Sequence, residues 1–129
     1  MSKPRFILDS NVIIDALNNK LDLEAALEAL PEGEVYVNLV VEIEVLAKPG
    51  MDEHEETKAR TLLSCFLWAD VDTPRVREEA IRIRRVNPKV ILLPDALIAA
   101  TAISLNATVL SNDPHLRDFQ WPHYVAQSI

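Results

Sequence analysis

The chain is poor in several things, and each shortage narrows what it can be. There is one cysteine, Cys65, in 129 residues. That forbids an internal disulfide and a cysteine-built zinc site, and it points to a reducing cytoplasm. With Leu63, Phe66 and Leu67 as neighbours, Cys65 is expected to pack in the core. Positive charge is scarce: 13 Lys and Arg against 20 Asp and Glu, a formal net charge of −7. Such a balance argues against a nucleic-acid binder working by bulk charge, although a cluster of acids can be neutralised by metal ions. Long apolar runs are missing too. The longest helical one, Ala96 to Leu105, holds Thr101 and Ser104 and is too short to span a bilayer. The opening MSKPR leads straight into a strand-like run, so no signal peptide is expected. There is no repeat, no low-complexity segment and no linker long enough to split the chain, which predicts one domain over residues 1–129.

What is present is globular. Hydrophobic residues make up 49% and charged residues 26%, enough to fill a core. The apolar period alternates between strand and helix. Arg5 to Asp9 reads as a buried strand, with Ser10 or Asn11 capping a helix from Val12. Helices are expected over Asp22 to Leu30, Leu39 to Ala47 with Asn38 as cap, Asp52 to Phe66, Thr73 to Arg85, and Asp95 to Leu105 after Pro94. Strands are expected over Val35 to Val37, Ala69 to Val71, Ala107 to Leu110 and, at the edge, Tyr124 to Ala126; SNDP reads as a turn. Strands separated by helices imply a three-layer α/β/α sandwich with a central, mostly parallel sheet.

In such a sheet the binding crevice lies outside the carboxyl ends of the strands. Asp9 ends the first strand and Asp113 follows a late one, so both project toward that rim. Asp95 opens an apolar helix, where an aspartate also serves as a plain cap or dipole partner. Glu42 and Glu44 stand among Leu39, Val40, Val41, Ile43, Val45 and Leu46. On a helix two such residues point roughly 200° apart, so at most one faces a given site. Periodicity does not choose between them. Carboxylates converging at one rim repel and raise one another's pKa unless a cation is present, and an all-oxygen set suits Mg²⁺ or Mn²⁺ better than zinc.

Taken in order, these segments resemble the PIN-domain ribonucleases, and among them the VapC-type toxins of toxin–antitoxin pairs. LDSNVIID is similar to the family's opening block, with Asp9 as first acid and Asn11 as polar partner. VNLVVEIEVL is similar to the second block, where the acid precedes an apolar pair; that selects Glu44, before Val45 and Leu46, over Glu42. PDALIAATAISLNATVLSND resembles the third and fourth blocks joined, with Asp95 and Asp113 as acids and Ser111 as supporting hydroxyl. The resemblance implies metal-dependent hydrolysis of RNA phosphodiesters. Asp9, Glu44, Asp95 and Asp113 would hold one or two Mg²⁺ or Mn²⁺, with Asn11 and Ser111 orienting carboxylates or water. It further implies a homodimer and a small VapB-like antitoxin whose tail occupies the acidic site.

Other residues are open to plainer readings. His115 could touch a phosphate but reads better as a surface residue at a helix start; His54 and His123 receive no role. The segment Thr73 to Lys89 carries six cations against Glu78 and Glu79, net +4. It reads either as a track for RNA or as a solvated helix face with pairs such as Glu78–Arg82. Apolar clusters around Leu62, Leu63, Phe66 and Leu67, or at Trp121 and Tyr124, could serve dimerisation or simply be core. Two rival functions remain at this stage. A phosphoryl-transfer domain with a strand-end nucleophilic aspartate needs a late lysine, and none follows Lys89. A PIN-like module without catalytic activity, binding RNA or protein, is the other.

Overall fold

The computed structural model describes residues 3–129. Five strands form one parallel sheet in the order β3-β2-β1-β4-β5. They are β1 (Arg5–Leu8), β2 (Glu34–Asn38), β3 (Leu67–Ala69), β4 (Thr108–Leu110) and β5 (Val125–Gln127). The helices are α1 (Ser10–Leu17), α2 (Leu23–Glu28), α3 (Leu39–Leu46), α4 (Glu53–Leu63), α5 (Pro74–Val86), α6 (Leu93–Leu105) and α7 (Pro114–Arg117). This is the α/β architecture expected from the alternating periods. Ile7, Leu8, Val37, Val109 and Leu110 of the inner strands are buried against Val12, Ile13, Val41, Ile98 and Ala99 of the helices. Runs buried on both faces are what a parallel sheet demands.

Local chemistry sets most of the element ends. Asn38, Asp52 and Thr73 each accept a hydrogen bond from the backbone N–H three residues on, capping α3, α4 and α5. α6 begins two residues earlier than expected, because Pro94 fits inside a first helical turn, where no N–H partner is needed. The first helix starts at Ser10, with Asp9 in the capping position; neither Ser10 nor Asn11 is the cap. β3 falls two residues before its expected place and pairs Val37 with Trp68. The SNDP turn runs into α7, a four-residue helix in whose first turn His115 stands.

Cys65 departs from expectation. α4 stops at Leu63, so Cys65 lies in the turn beyond it and is exposed, while Leu63 is buried and Phe66 packs against the core. Leu67 is exposed as well. Trp121 and Tyr124 pack with Phe119 against the core, with ring centroids 5.9 Å and 5.2 Å from it. Other exposed large apolar residues include Trp68 beside Leu67, Leu39 and Ile43 on α3, and Val86, Val90, Leu92 and Leu93 at the α5–α6 junction. No helix among the described residues is long and apolar enough to cross a membrane.

Candidate active site

The sheet changes winding direction at β1, which has β2 on one side and β4 on the other. Such a switch point opens a crevice at the carboxyl ends of the strands. Register brings the first two site residues together: Leu8 pairs with Leu110, so Asp9 and Ser111 follow side by side. The ladder continues one step further, the Asp9 N–H donating to the Leu110 carbonyl at 3.1 Å.

Asp9 is only 2% exposed. Its Oδ2 accepts a 2.8 Å hydrogen bond from Ser111 Oγ, and that hydroxyl in turn accepts from the Asp113 N–H at 3.0 Å. On the other side Ser10 Oγ donates to Glu44 Oε1 at 3.0 Å and stands 3.4 Å from Asp9 Oδ1. Two serines therefore link Glu44, Asp9 and the Asp113 loop in one chain of polar contacts. Burial raises the Asp9 carboxyl above its ordinary value, with the Asp113 charge adding to it, while the hydrogen bonds from Ser111 and Ser10 oppose the rise. Glu44, at the open side of the crevice, is raised by partial desolvation and by the Asp9 charge, against the Ser10 hydrogen bond.

Asp95 sits in the first turn of α6, half-buried. Its carboxyl is pushed up to about 6, first by burial and then by the charges of Asp9, Asp113 and Glu44. α6 leads back into β4, so its first turn, with Asp95, lies at the rim where Asp9 and Asp113 stand. Asp113 caps α7 by accepting the His115 N–H at 3.0 Å, and the His115 ring stands 3.1 Å from the same oxygen. His115 is thus a surface residue, as expected, but one in contact with a site acid. The part-buried Tyr124 hydroxyl donates to the Leu116 carbonyl, and burial plus the charges of Asp9 and Asp95 raise its pKa.

Two assignments gain detail. Of the two glutamates, Glu44 reaches Ser10, whereas Glu42 lines a separate groove with Leu46, Arg60 and Trp68. Asn11 is exposed, and among the described residues its side chain makes no hydrogen bond; the bridge between acids is made by Ser10. The signal for Ser10 was a hydroxyl next to a strand-end acid, which reads equally as a helix cap.

Among the described residues no three acidic, histidine or cysteine side chains stand close enough, as placed, to grip one ion. The Ser10 hydroxyl stands between Asp9 and Glu44, and the Ser111 hydroxyl between Asp9 and the Asp113 backbone. By the chemistry of its donors an all-oxygen set suits a hydrated divalent cation, since Mg²⁺ keeps several waters and takes only one or two carboxylates directly.

Over residues 6–122 the chain matches the family model described as PIN domain. Its fold is similar to a chain in the crystal structure of VapBC2 from Rickettsia felis bound to a promoter DNA fragment. That match has 22% identity and a TM-score of 0.83, covering 97% of this chain and 98% of that one. A toxin–antitoxin complex from Klebsiella pneumoniae matches at 27% identity and a TM-score of 0.73, covering 92% and 94%. DNA-bound VapBC from Salmonella typhimurium matches at 21% and 0.79, covering 97% and 98%. No curated protein matches in sequence.

Proposed function

The chain belongs to the PIN-domain family, and from that premise we propose that it is a metal-dependent endoribonuclease, the toxin of a VapBC-type pair. The observation that carries this reading is the polar chain Glu44–Ser10–Asp9–Ser111–Asp113 at the sheet's switch point, beside which burial and the other acids push the Asp95 carboxyl up to about 6. Carboxylates are not gathered in this way for stability, because their mutual repulsion opposes it. Asp9, Glu44, Asp95 and Asp113 would hold one or two Mg²⁺ or Mn²⁺ ions, directly or through water. Such a cation, when bound, supplies an activated water and positive charge opposite the phosphoryl oxygens under attack. The chain's own part is to orient. Ser111 fixes one Asp9 oxygen and the Asp113 backbone, and Ser10 fixes Glu44, so the carboxylates keep their directions while the space between them stays open.

Partners follow from the same premise. A VapB-like antitoxin suits a groove of about 380 Å³ with Ile14, Leu17, Val45 and Met51 on its floor, which runs up to Glu44. An arginine or lysine of the antitoxin tail would place its charge among the acids. A homodimer is the assembly the resemblance implies, and Leu39 and Ile43 offer exposed apolar surface for it. A cytoplasmic setting goes with a single cysteine.

The test is cleavage of RNA by the purified protein with Mn²⁺, set against Asp9→Asn, which keeps shape and removes charge. Cleavage is expected to fall by at least about 100-fold, the scale on which preorganised electrostatic groups matter. Unchanged cleavage by the variant defeats the assignment. Calorimetric Mn²⁺ binding without cleavage would leave an inactive PIN-like module.

A further inference from the structure

α5 and α6 form an antiparallel hairpin that gives the basic segment a place. Arg75, at the start of α5, reaches the Ser104 carbonyl at the end of α6. Arg84 and Arg85, at the end of α5, line a shallow groove with Leu93 and Leu97 at the start of α6. The tip of the hairpin, residues 85–93, therefore lies at the same rim as Asp95.

Most of the cations in this segment are already engaged. Arg82 pairs with Glu79 at 3.2 Å, not with Glu78 as the i,i+4 spacing suggested, and Glu79 also accepts from Trp121. Arg77 pairs with Asp72. Arg84 donates to the carbonyls of Pro88 and Ile91, both at 2.7 Å, and so ties the tip to α5. Arg85 and Lys89 remain: both are exposed, and neither has an ion pair or a side-chain hydrogen bond among the described residues. Beside them Val86, Val90, Leu92 and Leu93 are 56–65% exposed.

We propose that this tip is the track on which a single RNA strand enters the carboxylate crevice, Arg85 and Lys89 holding phosphates next to the one that is cut. The proposal rests on the ribonuclease reading and adds the surface and the form of the substrate. Charge complementarity selects the occupant. In a chain of net charge −7, two unneutralised cations beside an acidic mouth offset the repulsion that the mouth exerts on a polyanion. The aliphatic side chains select a single strand over a duplex. A duplex offers phosphates, 2′-hydroxyls and base edges but keeps its base faces stacked inside, whereas an unpaired strand also brings those apolar faces.

The test uses Arg85→Gln/Lys89→Gln, with Lys3→Gln/Lys20→Gln, at the opposite end of the sheet, as charge-matched control. Binding of a fluorescent single-stranded RNA is measured on the Asp9→Asn background across salt concentrations, and cleavage on the active background. The tip variant should bind about tenfold more weakly and lose about 1.4 from the salt slope, two single-strand phosphate contacts. KM should rise with kcat unchanged, and the control should match its parent. An unaltered slope and KM in the tip variant overturn the proposal while leaving the ribonuclease intact. Equal weakening by the control also overturns it, because the effect would then be bulk charge. Loss of a dimer in sedimentation with the slope unchanged assigns the tip to a second copy. Failure of the active protein to bind or cleave RNA overturns the function along with the track.

Discussion

At the residue scale the site is a problem of like charges kept in place. Asp9 tolerates burial because Ser111 and Ser10 give its oxygens partners. Asp95 has no such donor among the described residues, and it bears the repulsion openly, with its carboxyl raised from 3.8 to about 6. The sign of the consequence follows from linkage. Between those values the folded protein binds a proton at Asp95 that the unfolded chain has already released. Raising the pH through that window therefore costs stability. Asp95→Asn removes the cost. Above pH 6 the metal-free variant should be more stable than the parent by about 1 kcal/mol, a figure reduced for the half-exposed position of the carboxyl. Below the ordinary aspartate value, where both forms are neutral, the difference should vanish. Urea denaturation in chelator at the two ends of this range measures it. A variant less stable than the parent at neutral pH would mean that helix-dipole stabilisation outweighs the repulsion.

At the element scale the question is what holds the helix of Glu44 in register with the helix of Asp95. The answer lies at the β2–α3 junction. Asn38 is fully buried; its Oδ1 accepts the Val41 N–H at 3.1 Å, and its Nδ2 donates to Thr101 Oγ1 at 3.2 Å. Thr101, on α6, passes its own proton to the Leu97 carbonyl at 2.6 Å. One asparagine thus caps α3 and ties it to the middle of α6. Thr101→Val keeps the volume and strands the buried Nδ2, which should cost about 1–3 kcal/mol. Asn38→Ala alone loses the cap as well, about 1 kcal/mol more. Because the two side chains share one bond, the double variant should be less destabilised than the sum of the singles. Additive losses in a denaturation cycle would show that the tie carries no energy. Asn38 was legible in the sequence as a cap, a local feature. Its second role was not, because Thr101 is 63 residues away and a threonine in an apolar helix gives no sign of its partner.

At the scale of the whole molecule, legibility followed the range of the interaction. Alternating apolar periods gave the α/β architecture and the rim to which Asp9 and Asp113 point. The start of α6 and the strand β3 each fall two residues before their expected places, since turn chemistry and edge pairing do not register in periodicity. Cys65 was misplaced because its apolar neighbours continue past the point where α4 stops. The contacts Ser10–Glu44 and Ser111–Asp9 span 34 and 102 residues and became visible only once folded. What those contacts assemble is a surplus of negative charge in a chain already at −7, so the metal-free fold is under strain that a divalent cation would relieve. A ligand that binds the folded state alone adds about 2.7 kcal/mol of stability at a hundredfold excess over its Kd. For a domain of this size that is roughly 10 °C in Tm. Titrating Mn²⁺ into the chelator-treated protein should raise Tm by that order, and Na⁺ at matched ionic strength should raise it much less. In Asp9→Asn the Mn²⁺ increment should shrink, because the most buried of the acids has lost its charge. A Tm that follows ionic strength alone, with no preference for the divalent ion, would reduce the four carboxylates to a surface charge effect and remove the reason for their convergence.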